Sequence, residues 1–226
     1  MRRILALDTS SNACSVALAY DDVRFCRAAI TPRGHMQRLL PMVDEVLAEA
    51  GVKVSSLDAI AFGRGPGSFT GLRVATGVVQ GLAYGADLPV IPVSSLASLA
   101  QGYSRLHPAF AGSLAVAVDA RMGEIYGARF TVTGQEIAAS SDELLAPVAD
   151  WPACLTGTEA ACGSGWLLAP ELPPVCTTEI EPDAQDVLTL AATGQITPVA
   201  ADQALPIYLR DSVSWQKRTR IRTQSL

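Results

Sequence analysis

Ile4-Leu5-Ala6-Leu7-Asp8-Thr9-Ser10-Ser11-Asn12 opens the chain with an apolar run that stops at an aspartate and a polar cluster. An unbroken apolar run marks a central strand buried on both faces. The Asp8–Asn12 cluster carries side chains that hydrogen-bond local backbone, as a turn requires. Cys14–Tyr20 and Val23–Ile30 follow as short strands with Asp21-Asp22 between them, which predicts a three-stranded antiparallel meander. The pattern then returns. Leu114-Ala115-Val116-Ala117-Val118-Asp119 is again an apolar strand ending in aspartate, Ala120-Arg121-Met122-Gly123 is a turn, and Glu124–Phe130 is the second strand of a hairpin. Thr131–Ile137 reads as the third strand. The repetition predicts an α/β protein of two related halves, 1–107 and 108–214, with a basic tail over 215–226.

Helical spacing links the strands of the first half. Met36, Leu39, Leu40, Val43, Val46, Leu47 and Ala50 recur at three- and four-residue steps, and Gly51 closes the segment. Pro41 lies inside it, so either the helix kinks there or a second helix starts there. Leu57–Phe62 reads as a strand, Gly63-Arg64-Gly65-Pro66-Gly67-Ser68 as a glycine-rich loop, and Phe69–Ala86 as a long helix ended by Asp87-Leu88-Pro89. Val90–Val93 is a short strand, and Ser94-Ser95 caps a helix to about Gln101. In the second half, eight of the fourteen prolines fall between Pro147 and Pro206, which leaves room for few long elements. Asp183–Ala192 is the one clear helix there, and the second half is expected to be a reduced copy of the first.

Composition excludes several classes. With 49% hydrophobic and 17% charged residues in 226, the chain can bury a core, so wholesale disorder is excluded. No stretch approaches the ~20 apolar residues of a membrane span. The apolar run after Arg3 stops at Asp8, too short for a secretory leader, and none is expected. Five cysteines without a C-x-x-C pair suit reduced thiols in a cytoplasmic protein. A net charge of −5 argues against general electrostatic binding of nucleic acid.

The motifs point away from chemistry carried by this chain. The loop Gly63–Gly71 lacks the lysine of a P-loop, since the only lysines are Lys53 and Lys217, and Ser68 stands where a dinucleotide fingerprint needs its third glycine. A tight turn is the favoured reading of this loop, although a helix start at Phe69-Thr70 offers free N–H groups to an anion. Asp8, Thr9 and Ser10 sit at a strand end, where a carboxylate can hold magnesium or a phosphate-bound water. That role and a plain turn stay open for Asp8; Asp119 is read as a turn residue. The histidines, His35 and His107, form no H-x-x-x-H pair, because Leu39 stands four residues after His35. Ser68 is not in a G-x-S-x-G elbow. Cys162-Gly163-Ser164-Gly165-Trp166 is read as a plain turn. No catalytic residue and no metal ligand is assigned. Gly77, Gly81 and Gly85 recur every four residues in the long helix. Each weakens a helix by ~1 kcal/mol relative to alanine, so something approaches that face, either this chain's own core or a partner.

Ile4–Ser10, His35-Met36-Gln37-Arg38-Leu39-Leu40-Pro41 and above all Gly65-Pro66-Gly67-Ser68-Phe69-Thr70-Gly71-Leu72-Arg73 resemble the TsaB family. Asp119-Ala120-Arg121, Gly123-Glu124-Ile125-Tyr126 and Pro206-Ile207-Tyr208-Leu209-Arg210 extend the likeness, which is dense over Ile4–Tyr126 and sparse beyond. The resemblance implies an actin-like ATPase fold of the acetate and sugar kinase, Hsc70 and actin superfamily, made of two ribonuclease-H-like halves. It implies a non-catalytic subunit that binds the TsaD protein, a related transferase, and supports threonylcarbamoyl transfer to the tRNA adenosine 3′ of the anticodon. A TsaE-like ATPase is expected in the larger complex, a homodimer is an alternative pairing, and tRNA is met only through the complex. No cofactor is expected to bind tightly; ATP or ADP with magnesium is expected at most weakly, either at a nucleotide or phosphate loop of Asp8, Thr9 and Ser10 or only at a site composite with partners. The partner-binding interface is expected at Met36, Leu39, Leu40, Val43, Leu47, Val74, Gly77, Val78, Gly81 and Gly85. Ala75 departs from the family pattern, which usually has glycine there. Two rival readings are an active phosphotransferase or ATPase using Asp8, and a metal-dependent glycopeptidase-like protein.

Overall fold

The computed structural model describes residues 3–210. The basic tail expected over 215–226 lies outside the described residues. The first half begins as expected, with β1 (Ile4–Asp8), β2 (Ala13–Tyr20) and β3 (Val23–Ile30) as an antiparallel meander. α1 (His35–Ala50), β4 (Ala59–Gly63), α2 (Phe69–Ala86), β5 (Val90–Val93) and α3 (Ser95–Leu106) follow. β4 lies parallel to β1, with Ile4 opposite Ala59, and β5 lies parallel to β4. The strand order is β3-β2-β1-β4-β5. β1 is therefore central, which is why all five of its residues are buried.

The second half repeats this plan. Its strands are β6 (Gly112–Arg121), β7 (Glu124–Thr133), β8 (Glu136–Ala139), β9 (Leu144–Pro147), β10 (Ala160–Cys162) and β11 (Cys176–Thr177), followed by α4 (Ala184–Ala192). The order is β11-β10-β6-β7-β8, with β9 paired to β7. β6 is antiparallel to β7 and parallel to β10, and β10 is parallel to β11. Strand for strand, this is the topology of the first sheet. The reduction is real: short 3-10 turns at Val148–Asp150, Ala153–Leu155 and Ser164–Leu168 stand where the first half has α1 and α2.

Some boundaries differ from expectation for physical reasons. Pro41 neither starts a new helix nor ends the old one; α1 is one helix with Pro41 inside it and exposed. The lost bond is a single one on the solvent side, toward Gln37. α3 continues past Gln101 to Leu106 because Gly102 leaves room for Asp186 of α4; a Cβ there would lie 2.9 Å from Asp186 Oδ2. Thr131–Thr133 complete β7, and Gly134, at φ 63°, turns the chain into β8 at Glu136.

The helices that end each half are exchanged. α3 follows the first sheet but packs Leu96, Leu99, Ala100 and Tyr103 against Leu114, Val116, Phe130 and Val132 of the second. α4 follows the second sheet but packs Ala184, Val187, Leu188 and Ala191 against Ile4, Ala6, Ala61 and Val93 of the first. Arg105 of α3 donates to both carboxylate oxygens of buried Asp186, at 2.8 and 2.9 Å. Each half thus covers one face of the other. The remaining face of the first sheet is covered by α1 and α2, through Leu39, Met42, Val43, Val46, Ala75, Val79 and Ala83.

Candidate docking face and the loop beneath it

The turn after β1 is sealed by this chain's own glycine loop. Asp8, Thr9 and Ser10 are all buried. Asp8 Oδ1 accepts hydrogen bonds from the backbone N–H and the hydroxyl of Ser10, both at 2.8 Å. Thr9 Oγ1 donates to the Gly71 carbonyl at 2.7 Å, and Ser68 N–H donates to the Ser10 carbonyl at 2.7 Å. A Cβ on Gly63, Gly67 or Gly71 would fall inside van der Waals contact with Asp8, Ser10 and Thr9 respectively. These glycines let the loop and the start of α2 press directly onto the β1 turn. Ser68 caps α2 by accepting from Gly71 N–H. Asp8 Oδ2 is buried without a partner among the described residues. Burial pushes its carboxyl up to about 6, against the two Ser10 hydrogen bonds that favour the ion, with Asp183 and Glu181 raising it further.

The expected phosphate loop, Asp8, Thr9 and Ser10, therefore lies buried beneath the glycine loop, with Asp8 Oδ2 its unpartnered side-chain oxygen among the described residues. Asp119, expected as a turn residue, instead lies in β6 opposite Ile125, at an irregularity of the strand where its Oδ1 accepts from Arg121 N–H at 2.7 Å. Gly163 and Gly165 lie close against Ala117 of β6 and repeat, in the second half, the closure that Gly63–Gly71 makes in the first. His35 is buried, and His107 stacks on Tyr103 with ring centroids 4.3 Å apart. Among the described residues no three His, Cys, Asp or Glu side chains gather in a way that could hold a metal ion.

The expected docking helices divide into an inner and an outer face. Leu39, Val43 and Leu47 are 0%, 1% and 8% exposed and pack into the core against the first sheet. These three, expected at the partner interface, instead belong to the chain's own core, because the apolar stripe of α1 meets the sheet. Met36 and Leu40 remain outside, with Met36 74% exposed. Val74 and Val78 are half-buried on the flank of α2. Gly77, Gly81 and Gly85 are exposed, and a Cβ at any of them would meet nothing within 4 Å. Nothing of the described chain packs on the glycine face. Ala75 is fully buried, so its extra methyl acts on the core and leaves the outer face unchanged.

Further surface residues escaped the sequence reading. Phe69 and Arg73 continue the four-residue spacing of Gly77, Gly81 and Gly85, a signal present in the sequence, and Phe69 is 54% exposed. Tyr84, also on the outside of α2, is almost wholly exposed. The Arg73 guanidinium lies 3.9 Å from the Phe69 ring centroid. Its Nε donates to the Tyr208 hydroxyl at 3.2 Å, and the Phe69 and Tyr208 rings are 5.3 Å apart. The motif strings at Gly65–Arg73, Asp119–Tyr126 and Pro206–Arg210 meet here. Residues 206–210 cross from the glycine loop Gly63–Ser68, where Ile207 N–H donates to the Arg64 carbonyl, to the β6–β7 hairpin, where Arg210 donates to the Ala120 carbonyl at 3.1 Å and pairs with Glu124. Arg64 itself makes a two-pronged pair with Glu143 of the second half, both bonds 3.1 Å.

Two sheets of matching topology, with their last helices exchanged, define an actin-like ATPase fold built of two ribonuclease-H-like halves. The family model of TsaD, described as tRNA N6-adenosine threonylcarbamoyltransferase, matches residues 29–176. The chain is 39% identical to the tRNA threonylcarbamoyladenosine biosynthesis protein TsaB of Escherichia coli K12, over 95% of this chain and 97% of that one. It is 38% identical to the protein of the same name from Haemophilus influenzae, over 95% and 96%. The solved structure of YeaZ from Pseudomonas aeruginosa is similar at a TM-score of 0.81 and 43% identity, over 92% of this chain and 100% of that one. The chain belongs to the TsaB family.

Proposed function

We propose that this chain is a non-catalytic subunit that binds a TsaD-like protein and supports threonylcarbamoyl transfer to tRNA. The observation that carries the reading is the open stripe Gly77, Gly81 and Gly85, kept free of side chains at a cost in helix stability and covered by nothing in the described chain. Such a groove admits the close approach of another protein's backbone. Met36 and Leu40 on α1, and Val74 and Val78 on the α2 flank, line it with apolar surface. The sealed Asp8 loop speaks against a transferase or ATPase site in this chain alone; a weakly held nucleotide belongs to a site composite with the partner. A TsaE-like ATPase joins the larger assembly, self-pairing through the same groove is the competing state, and the complex works in the cytoplasm.

The test substitutes Gly81→Leu and measures pairing with the TsaD-like protein of the same organism, together with threonylcarbamoyladenosine formation in a reconstituted reaction. A stable interface buries ~1,200–2,000 Å² in total, and a side chain forced into its centre should weaken pairing ~100-fold or more. The variant should melt no lower than the parent, because the added side chain enters open space. Normal pairing by a folded Gly81→Leu chain, or full tRNA modification without the chain, would sink the reading.

A further inference from the structure

We propose that residues 204–210 form a second wall of the docking face and transmit to it the position of the carboxy-terminal half. The inference rests on the partner-subunit reading above. Glycines give a partner room but little adhesion, and burial of Leu39, Val43 and Leu47 leaves α1 with Met36 and Leu40 to offer. The opposite flank of α2 supplies the missing apolar area. Leu205 is 60% exposed, and Ile207 and Tyr208 are about as open as each other at 39% and 40%. Tyr208 is seated on Phe69 and Arg73, the first two members of the stripe that continues through Gly77, Gly81 and Gly85. Tyrosine and arginine beside a groove are the residue types that concentrate binding energy at protein interfaces. The surface therefore fits a protein partner that lays a helix along the glycines and buries an apolar patch against Tyr208.

The segment is fastened to both halves. Ala204 is wholly buried in the core beneath α2, and its carbonyl accepts from Gln80 Nε2 at 3.1 Å. Ile207 N–H donates to the Arg64 carbonyl at 2.8 Å. Two residues past Tyr208, Arg210 is held by the Ala120 carbonyl and Glu124, both in the β6–β7 hairpin of the other half. Any rotation of that half pulls on Arg210, and through it on the Tyr208 ring. Docking and the angle between the halves are thereby coupled: a partner that needs Tyr208 in place binds best when the Arg210–Glu124 pair is made.

The experiment titrates the full chain, and its Tyr208→Ala and Glu124→Gln variants, with the TsaD-like protein in a calorimeter, with thermal melting as the check on folding. Tyr208→Ala should weaken pairing ~10-fold or more. Glu124→Gln substitutes no residue of α1, α2 or 204–208, yet should weaken pairing by about threefold to tenfold. Hydrogen exchange over 199–210 should rise in the same variant. Unchanged pairing by Tyr208→Ala removes the wall; unchanged pairing by Glu124→Gln removes the coupling. Should Tyr208→Ala fail to fold, Tyr208→Phe, which loses only the bond with Arg73, and Glu124→Gln decide. Failure of the unmodified chain to pair would fell the subunit reading and this inference together, whereas normal pairing by the variants fells this inference alone.

Discussion

Gly63, Gly67 and Gly71 before Arg73, and Gly77, Gly81 and Gly85 after it, belong to one stretch of chain and have opposite surroundings. Each of the first three is pressed against the β1 turn, where a Cβ would collide with Asp8, Ser10 or Thr9. Each of the last three faces open space. The first set is explained by the fold itself, because a loop must close over the end of the central strand. The second half makes the same closure with Gly163 and Gly165 on Ala117. The second set has no counterpart there, since a five-residue 3-10 turn at Ser164–Leu168 replaces the long helix. The first half thus keeps a long helix that its copy lacks, and nothing in the described chain packs on the glycine face of that helix.

The sharpest way to break this comparison is to add one methyl group to the first set. Gly71→Ala drives a Cβ into the Thr9 carbonyl oxygen, which belongs to the buried turn and cannot step aside. Gly71 O also accepts the Thr9 hydroxyl, so backbone and side chain must both shift. The expected destabilisation is large, on the order of 4 kcal/mol or more, enough to leave little folded protein. Urea unfolding measures it. A Gly71→Ala chain as stable as the parent would show that the closure over β1 is looser than the geometry says.

The carboxylate under that closure gives the next effect. Asp8 has its ordinary value near 3.8 when unfolded and about 6 when folded, so the native state holds the proton more tightly. Stability from this group is fully present below about pH 4 and is lost as the pH rises through 6. The difference amounts to ~3 kcal/mol at neutral pH. Asp8→Asn keeps an oxygen to accept from Ser10 and cannot ionise. The stability of the variant relative to the parent should therefore climb by about that amount between pH 4 and pH 7. Asp186, also pushed up by burial despite Arg105, is common to both proteins and drops out of the comparison. Parallel profiles for the two chains would mean that Asp8 is better solvated than its surroundings imply.

Most of the fold was legible because it is local. An apolar run ending at Asp8, a meander joined by Asp21-Asp22 and a helix beginning after Ser68 each follow from a few neighbouring residues. The repeated strand pattern carried the doubled topology. What failed was orientation. Seven apolar positions on α1 announce an amphipathic helix, but nothing in their spacing says whether the stripe meets the chain's own sheet or another protein; Leu39, Val43 and Leu47 meet the sheet. The exchange of α3 and α4 was equally hidden, since Leu96 or Val187 would suit either sheet as well. The helix expected to about Gln101 runs on to Leu106 past Gly102, whose neighbour Asp186 lies far along the chain. The glycine stripe was visible by spacing, yet only the open space around it separates a partner's groove from an internal one.

That open space makes a small effect with a distinctive sign. Gly77→Ala and Gly81→Ala place a methyl group where nothing lies within 4 Å, so neither meets a steric penalty in the isolated chain. Each also removes the backbone freedom that glycine carries into the unfolded state, and should raise monomer stability by about 1 kcal/mol. If a partner's backbone rests on the stripe, the same methyl groups should weaken pairing. Stability and docking would then move in opposite directions under one substitution, a pattern that no defect in folding produces. Calorimetric melting of the single chain beside titration with the TsaD-like protein reads both. Alanine variants that melt lower would mean the stripe packs on something internal. Variants that melt higher and pair as before would leave the glycines unexplained by contact with any protein.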